Sequence, residues 1–284
     1  MEIDEAIILI AGKATRLEED PFLKIIPAKG FFPLSRIPEE ETIIWRIVRV
    51  VKELGIRQVY IVTNEEAKSK VVDYIKLKQQ RENIGIRIEV VPQNFMETGN
   101  RVVELKERIK GDFLICYGDE VFDGNVNKEF KSFIKKSKEI IKKDNKVALI
   151  RALVKPENYK GGIATLKEQT KCKLKENKII WATKNEFLPR DKEEALLFTS
   201  FMVATPKISE AIKNFQKETG KEQVSLHDLE FTNFLIKKGM LNGIEVQLDY
   251  FNINRGEDKK LLYEYFTIKD FKKLKNETYS VRKK

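Results

Sequence analysis

Apolar residues follow two spacings along the first half of the chain, and these spacings alternate. Short apolar runs predict strands over residues 5–11, 58–62, 87–91, 113–117 and 146–154. Apolar residues at helical spacing predict helices over residues 42–54, 65–80, 101–110 and 128–143. Alternation of this kind predicts a mostly parallel sheet with helices on both faces.

The second half of the chain is less regular. Short strands over residues 162–167, 172–175 and 179–183 predict antiparallel ribbons. A longer strand over 195–204, a helix starting near 206, a helix over 226–238, strands over 244–248 and 251–254, and a helix from about 257 follow. Since no repeat or low-complexity linker interrupts the 284 residues, we expect one domain with a substrate-binding half inserted after residue 154.

Composition excludes several classes of protein. Hydrophobic residues make up 42% of the chain, which is typical of a globular protein, and no apolar run reaches the roughly 20 residues that span a bilayer. The acidic N-terminus does not resemble a signal peptide, so a cytoplasmic location without membrane contact is expected. The two cysteines form no disulfide framework, and the single histidine, His227, argues against Ser-His-Asp and Cys-His catalysis.

The net charge of +10 suggests anionic partners, although much of it lies at the C-terminus. Residues 269–284 contain seven Lys or Arg against two acids. This segment has too few aromatic residues to indicate nucleic-acid binding, so we interpret it as a solvated tail. Salt-dependent binding to random DNA would favour the opposite interpretation.

The strongest candidate site follows the first strand. Small and basic residues continue directly from it as Ala11, Gly12, Lys13, Ala14, Thr15 and Arg16, and Lys29 lies further on. Small residues let the backbone approach a phosphate, and Arg16 and Lys29 can neutralise its charge. An ordinary polar turn is the alternative. The segment resembles the A-G-x-G-T-R-L loop, followed by P-K-x-L-x-P, of the sugar-phosphate nucleotidylyltransferases, with Ala14 and Ala28 as departures.

Later segments resemble the same family in the same order. Gly118-Asp119-Glu120 resembles its G-D-N metal motif, and the segment from Asn252 to Asp258 resembles its terminal D-I-x-T-P-E-D element. The resemblance implies that Asp119 binds Mg²⁺ with Asn252 as a weaker second ligand. An amide oxygen brings no negative charge, so Asn252→Asp is expected to tighten Mg²⁺ binding. For Asp119 the alternative is a plain turn after a strand.

Three further elements of the resemblance concern the nucleoside and the acceptor. Gln93, Thr98 and Gly99 correspond loosely to a base-reading element, and a loop with a helix cap is the alternative. Lys184 occupies the place of a lysine that binds the sugar phosphate, without the flanking Glu and Pro, so a solvated surface lysine is equally compatible. Gly162 follows Tyr159 as in the family's Y-G element.

Together these motifs imply a Rossmann-like α/β fold of the GT-A nucleotidyltransferase type, with a mixed central sheet in three α/β/α layers. Residues 1–154 would form the nucleotide-binding half, residues 155–258 the acceptor-binding half, and residues 259–284 a basic C-terminal helix and tail. The implied reaction transfers NMP from an NTP to a sugar 1-phosphate or a similar phosphomonoester, with Mg²⁺ as cofactor and pyrophosphate as product. Arg16, Lys29 and Asp119 would be catalytic. A homo-oligomer is compatible with the sequence.

A second hypothesis comes from the departures themselves. Ala14, Ala28, Glu120 and Asn252 differ from the family pattern, as expected of a regulatory subunit that senses nucleotides or sugar nucleotides without turnover. The presence of Arg16, Lys29 and Asp119 favours the enzyme. Metal-dependent turnover distinguishes the two hypotheses.

Overall fold

A computed structural model describes residues 2–10, 34, 41–93, 97–184 and 195–267. Its strands, in chain order, are β1 (Glu5–Leu9), β2 (Gln58–Asn64), β3 (Arg87–Gln93), β4 (Phe113–Tyr117), β5 (Glu120–Asp123), β6 (Leu149–Val154), β7 (Lys171–Lys175), β8 (Lys178–Thr183), β9 (Leu196–Ala204), β10 (Leu241–Glu245) and β11 (Asp249–Asn252).

The helices pack on both sides of these strands. They are α1 (Ile43–Glu53), α2 (Lys68–Arg81), α3 (Thr98–Leu105), α4 (Val126–Lys143), α5 (Ile163–Glu168), α6 (Lys207–Thr219), α7 (Leu229–Lys237) and α8 (residues 256–267). None of the helices in the described ranges is long and apolar enough to cross a membrane.

One large mixed sheet organises the molecule. Its strand order is β3-β2-β1-β4-β9-β6-β10-β8-β7, and β7 also pairs with β9. Strands β1 to β4 are parallel where they pair, as are β6 and β10, whereas β9 runs antiparallel to both β4 and β6. A separate two-stranded ribbon joins β5 to β11. The mixed sheet that the family resemblance implies is therefore confirmed, whereas the mostly parallel sheet predicted from the alternation is continuous only from β1 to β4, because β9 inserts antiparallel between β4 and β6.

The alternation of side chains along β1 shows why the fold has three layers. Ala6 and Ile8 belong to the apolar cluster that contains buried residues of α1, α2 and α4. Ile7 and Leu9 belong to the cluster that contains buried residues of α3, α6 and α7. Since successive side chains of a strand point to opposite faces, an apolar strand requires a helical layer on each side. This confirms the predicted α/β/α arrangement.

Several sequence-based elements need correction. Residues 162–167 were predicted as a strand, but the structure has helix α5 there. The helix predicted from 226 begins at Leu229, because the Asp228 side chain caps it by accepting a hydrogen bond from the amide of Glu230 at 2.9 Å. His227 therefore lies before the helix. The strand predicted over 244–248 is β10, which ends at Glu245.

Candidate active site

The carboxyl ends of the parallel strands define one edge of the sheet. β1, β2 and β3 are paired in parallel register, with Asn64 of β2 opposite Gln93 at the end of β3. β4 lies parallel on the other side of β1 and ends at Tyr117. Loops at such an edge are where open α/β sheets bind ligands. Residues 11–16 and Lys29, predicted to bind the nucleotide phosphates, lie outside the described residues.

Asp119 and Asn252 come together through the β5–β11 ribbon. Glu120 pairs with Asn252 in antiparallel register, and the amide of Ile253 donates to the carbonyl oxygen of Asp119 at 2.8 Å. The two predicted metal ligands therefore lie on neighbouring segments, although 133 positions separate Asp119 from Asn252 in the sequence. Asp249, at the other end of β11, instead contacts the Tyr265 hydroxyl at 2.7 Å and Lys160 at 3.4 Å.

Glu120 is buried, with an exposed fraction of 2%. Its Oε2 accepts a hydrogen bond from the amide of Ser200 at 2.7 Å, and its Oε1 accepts one from the Tyr250 hydroxyl at 2.6 Å. Burial raises the pKa of Glu120 to about 7, and the neighbouring charge of Asp119 contributes in the same direction. This carboxyl group joins the ribbon to β9 of the main sheet.

The Asn252 side chain completes this cluster. Its Nδ2 lies 3.4 Å from Glu120 Oε1 and 3.4 Å from the Tyr250 hydroxyl, whereas its Oδ1 is buried without a hydrogen-bond partner among the residues that the structure describes. A buried acceptor without a partner is costly unless a donor or a cation satisfies it. Two hard oxygen donors, from Asp119 and Asn252, suit Mg²⁺, which prefers few protein ligands together with substrate phosphates.

No group of three or more His, Cys, Asp or Glu side chains in the described ranges could hold a metal by itself. Mg²⁺ at sites that act on phosphates is usually held by one or two protein ligands together with phosphate oxygens of the substrate.

Thr98 and Gly99 begin helix α3, where they contact the segment 222–228. The Thr98 hydroxyl accepts hydrogen bonds from the Tyr117 hydroxyl at 2.9 Å and from the amide of Leu226 at 3.0 Å. Gly99 donates its amide to the carbonyl of Val224 at 2.8 Å, and a Cβ at Gly99 would lie only 2.6 Å from that oxygen. Close packing thus explains the glycine, and contact of Thr98 and Gly99 with a nucleoside stays a prediction.

Gly162 is fixed by the start of helix α8. Its amide donates to Asp258 Oδ1 at 2.8 Å, and a Cβ at Gly162 would lie 2.7 Å from the Glu257 carboxylate. Asp258 Oδ2 also accepts from the Thr165 hydroxyl at 2.6 Å. The proposed acceptor glycine is therefore attached to the segment that immediately follows Asn252.

Lys184 is exposed and follows β8. Its carbonyl oxygen accepts from Lys171 Nζ at 3.4 Å. Loss of hydration lowers the pKa of His227 well below its ordinary value, and the charges of Arg151 and Lys184 act in the same direction. The ring of His227 packs edge-on against Tyr117, with 4.4 Å between centroids. Lys184 thus lies near the segment that contacts α3.

Sequence reasoning missed several residues around this edge. Arg151 is fully buried in β6, donates to the carbonyls of Thr199 and Leu226, and has its guanidinium carbon 4.7 Å from the Phe198 ring centroid. Burial lowers the pKa of Arg151 to about 10. No local pattern marks a buried arginine within an apolar strand, because its partners are distant carbonyl groups. Ser200 and Tyr250 were missed for the same reason.

Comparison with known proteins places this geometry in context. No known family model matches the chain. The bifunctional protein GlmU of Methanococcus maripaludis is 27% identical over 246 residues, which cover 86% of this chain and 49% of the relative. The bifunctional IPC transferase and DIPP synthase of Thermococcus kodakarensis is 28% identical over 119 residues, which cover 42% of this chain and 24% of the relative. The chain spans about half the length of the GlmU relatives that it matches over most of its residues.

Solved structures show the same fold. A candidate glucose-1-phosphate thymidylyltransferase from Bacillus anthracis has a TM-score of 0.68 at 16% identity, with 92% of this chain and 94% of that chain covered. A UDP-glucose pyrophosphorylase in complex with UDP-glucose has a TM-score of 0.66 at 16% identity, with 94% and 99% covered. The resemblance drawn from the motifs is confirmed: the chain is a homologue of proteins named GlmU and has the fold of the sugar-phosphate nucleotidyltransferases.

Proposed function

We propose that this protein is a nucleotidyltransferase that transfers NMP from an NTP to a sugar 1-phosphate or a similar phosphomonoester and releases pyrophosphate. The observation that carries the proposal is the contact between the Asp119 and Asn252 segments beside the carboxyl edge of the sheet. The fold and the similarity to GlmU proteins support the same reaction class. Because the chain spans about half the length of its GlmU relatives, the reaction and its substrates are proposals for this chain.

Asp119 and Asn252 are the residues that would hold Mg²⁺. Their oxygens fit the ion chemically, and the Asn252 oxygen, which has no hydrogen-bond partner within the described residues, fits a cation ligand. When bound, Mg²⁺ would supply positive charge to phosphate oxygens that gain negative charge during transfer. Asp119 contributes the formal negative charge of this ligand pair.

The remaining roles follow from the family resemblance and await a test. Arg16 and the loop of residues 11–15 would hold the β- and γ-phosphates, and Lys29 would contact the α-phosphate. Gln93, Thr98 and Gly99 would meet the nucleoside. Lys184 and Gly162 would receive the phosphate of the acceptor. Arginine and lysine suit these places because they bind phosphate oxygens through charge-assisted hydrogen bonds.

The reaction needs no histidine base. An oxygen of the acceptor phosphate, already ionised at neutral pH, attacks the α-phosphorus, and the bond from that phosphorus to the bridging oxygen breaks to release pyrophosphate. Catalysis then rests on positioning and charge neutralisation, and orientation alone can supply roughly 7–11 kcal/mol. The depressed pKa of His227 keeps this side chain neutral, consistent with a packing role.

The test is a screen of four NTPs against phosphorylated acceptors, with pyrophosphate release as the readout. We expect metal-dependent release with at least one pair, and we expect Asp119→Ala to abolish it. Asp73→Ala removes an exposed carboxylate from α2 and serves as the matched control, which should keep normal activity.

Two outcomes of this screen would contradict the proposal. Normal turnover by the Asp119→Ala variant would refute the metal assignment. Metal-dependent nucleotide binding without pyrophosphate release from any pair would favour the non-catalytic sensor.

A further inference from the structure

This chain departs from the nucleotidylyltransferase pattern at one residue in each of the two segments that resemble its metal motifs. The two departing residues contact each other. Glu120 stands where the family motif has an asparagine, and Asn252 stands where it has an aspartate. In the structure they are register partners in the β5–β11 ribbon, with Asn252 Nδ2 3.4 Å from Glu120 Oε1. Relative to the family pattern, the two groups have exchanged strands: here the carboxylate lies on β5 and the amide lies on β11.

The contact fixes which end of the Asn252 amide is available. Glu120 Oε1 and the Tyr250 hydroxyl both lie 3.4 Å from Nδ2. Rotating the amide by half a turn would bring Oδ1 against the Glu120 carboxylate in its ionised form, so that two acceptors would face each other. The hydrogen-bond network therefore keeps Oδ1 away from Glu120, and this oxygen has no partner within the described part of the chain.

Glu120 is itself held firmly. Its Oε2 accepts from the amide of Ser200 in β9 at 2.7 Å, and its Oε1 accepts from the Tyr250 hydroxyl at 2.6 Å. Because a backbone amide can only donate, the oxygen that faces Ser200 must remain an acceptor. The other oxygen is thus the one that faces Asn252.

We propose that Glu120 is a positioning residue that orients the Asn252 amide so that Oδ1, and not Nδ2, is presented to the metal ion held with Asp119. This inference rests on the proposed function, since it concerns the same site. In this proposal the glutamate at position 120, which differs from the family pattern, has the role of orienting the asparagine at position 252, which also differs from it. It also alters the expectation that Asn252→Asp alone tightens metal binding, because that change sets a second carboxylate against Glu120 and removes its hydrogen-bond donor.

The test is a double-mutant cycle on Mn²⁺ binding, measured by electron paramagnetic resonance at pH 8 with inorganic triphosphate present, because phosphate oxygens would complete the coordination of the ion. In Glu120→Gln, the one remaining side-chain oxygen should still accept from the Ser200 amide. The NH₂ group of the glutamine should therefore face Asn252. Asn252 should then turn its oxygen toward Gln and its nitrogen toward the metal. We expect Mn²⁺ affinity to fall by about tenfold or more, as for other residues that orient metal ligands.

Adding Asn252→Asp to Glu120→Gln should restore binding. Both oxygens of a carboxylate are equivalent, so one can accept from the Gln NH₂ while the other faces the ion. We expect Asn252→Asp to raise Mn²⁺ affinity in both backgrounds or in Glu120→Gln alone, and the gain in Glu120→Gln should exceed the gain in the wild type by about fivefold or more. Such a difference measures the coupling between the two neighbouring side chains. A merely structural role of Glu120 predicts no such rescue.

Asp249→Asn is the matched control. It removes a carboxylate from the same strand, but Asp249 contacts Lys160 and Tyr265 and has no hydrogen bond to Glu120 or Asn252. It should change Mn²⁺ affinity by less than about twofold. Thermal melting of every variant verifies that the ribbon is folded.

The outcomes separate this inference from the proposed function. Equal effects of Asn252→Asp in both backgrounds, wild-type Mn²⁺ affinity in Glu120→Gln, or no Mn²⁺ binding by the wild type would each overturn the positioning role. If these appear while the wild type releases pyrophosphate, the proposed function stands. If the coupling is present but no NTP and acceptor pair turns over, the positioning role stands and the proposed activity fails.

Discussion

The buried carboxyl group of Asp112 should make the free energy of unfolding depend on pH. Asp112 lies just before β4 with an exposed fraction of 4%, and its Oδ2 is buried without a hydrogen-bond partner in the described ranges of the chain. Burial raises the pKa of Asp112 above its ordinary value. The folded protein therefore binds this proton more readily than the unfolded chain does, and the free energy of unfolding should fall as pH rises through the raised pKa.

We predict that Asp112→Asn removes this contribution to the pH dependence and makes the protein more stable at pH 8 than the wild type. Urea unfolding at pH 5 and pH 8 measures the effect, with the exposed Asp73→Asn as control. An unchanged difference between the two pH values would show that Asp112 does not titrate in this range.

Lys184 is the residue whose proposed role is easiest to separate from folding, because its side chain is exposed. If it receives the acceptor phosphate, Lys184→Ala should raise the KM for the acceptor by about tenfold, the value of one charge-assisted hydrogen bond, with little change in the KM for NTP. Steady-state kinetics with each substrate varied in turn measure the split. Lys178→Ala, which removes an exposed lysine from β8, is the control. Equal kinetics in both variants would mean that Lys184 is only a surface residue.

At the scale of the elements, the start of α3 depends on a close approach to the segment 222–228. Gly99→Ala would place a methyl group 2.6 Å from the carbonyl oxygen of Val224, which is backbone and cannot rotate away. We predict a loss of about 1–3 kcal/mol in the free energy of unfolding, as for other overpacked sites. Urea titration measures it.

Gly111→Ala is the matched control for that experiment, since the nearest atom to its added Cβ would be 4.0 Å away. Equal stabilities of the two variants would refute the packing explanation for Gly99. A raised KM for NTP in Gly99→Ala without loss of stability would favour the nucleoside role.

At the scale of the whole molecule, Asp258 joins the segment after β11 to the start of helix α5. Its fully buried carboxylate accepts from the amides of Asn254, Arg255 and Gly162 and from the Thr165 hydroxyl, at distances of 3.0, 2.8, 2.8 and 2.6 Å. Through these hydrogen bonds, the Asp258 carboxylate connects two segments that are far apart in the sequence.

We predict that Asp258→Ala lowers the free energy of unfolding by about 3 kcal/mol or more, because several buried donors lose their acceptor together. Asp258→Asn, which keeps one acceptor oxygen, should lose less. Chemical unfolding measures both, and Glu264→Gln on the exposed side of α8 is the control. A loss no larger than that of the control would show that the link is dispensable.

Apolar patterning alone was sufficient to predict the layers of this fold. The alternation of short apolar runs with helical spacing predicted helices on both faces of the sheet, and the two faces of β1 are buried in clusters that contain those helices. The types of residue needed for phosphate and metal chemistry were also visible, since Asp119 follows a buried strand and Asn252 has an amide oxygen. These features depend on near neighbours in the sequence, and local physics determines them.

Other features depended on residues far apart in the chain. Residues 162–167 were predicted as a strand, whereas they fold as α5, whose N-terminal amide and Thr165 hydroxyl bind Asp258 from another segment. The contact of Arg151 with the Thr199 carbonyl and the contact of Asn252 with Glu120 are likewise set by strand pairing.

The sequence by itself thus determined the three-layer fold and which residue types could serve a phosphate site, because side-chain alternation and loop position are local properties. Only the tertiary structure decided that Glu120 faces Asn252. The β5–β11 register aligns two residues 132 positions apart, and no periodicity within either segment encodes that pairing.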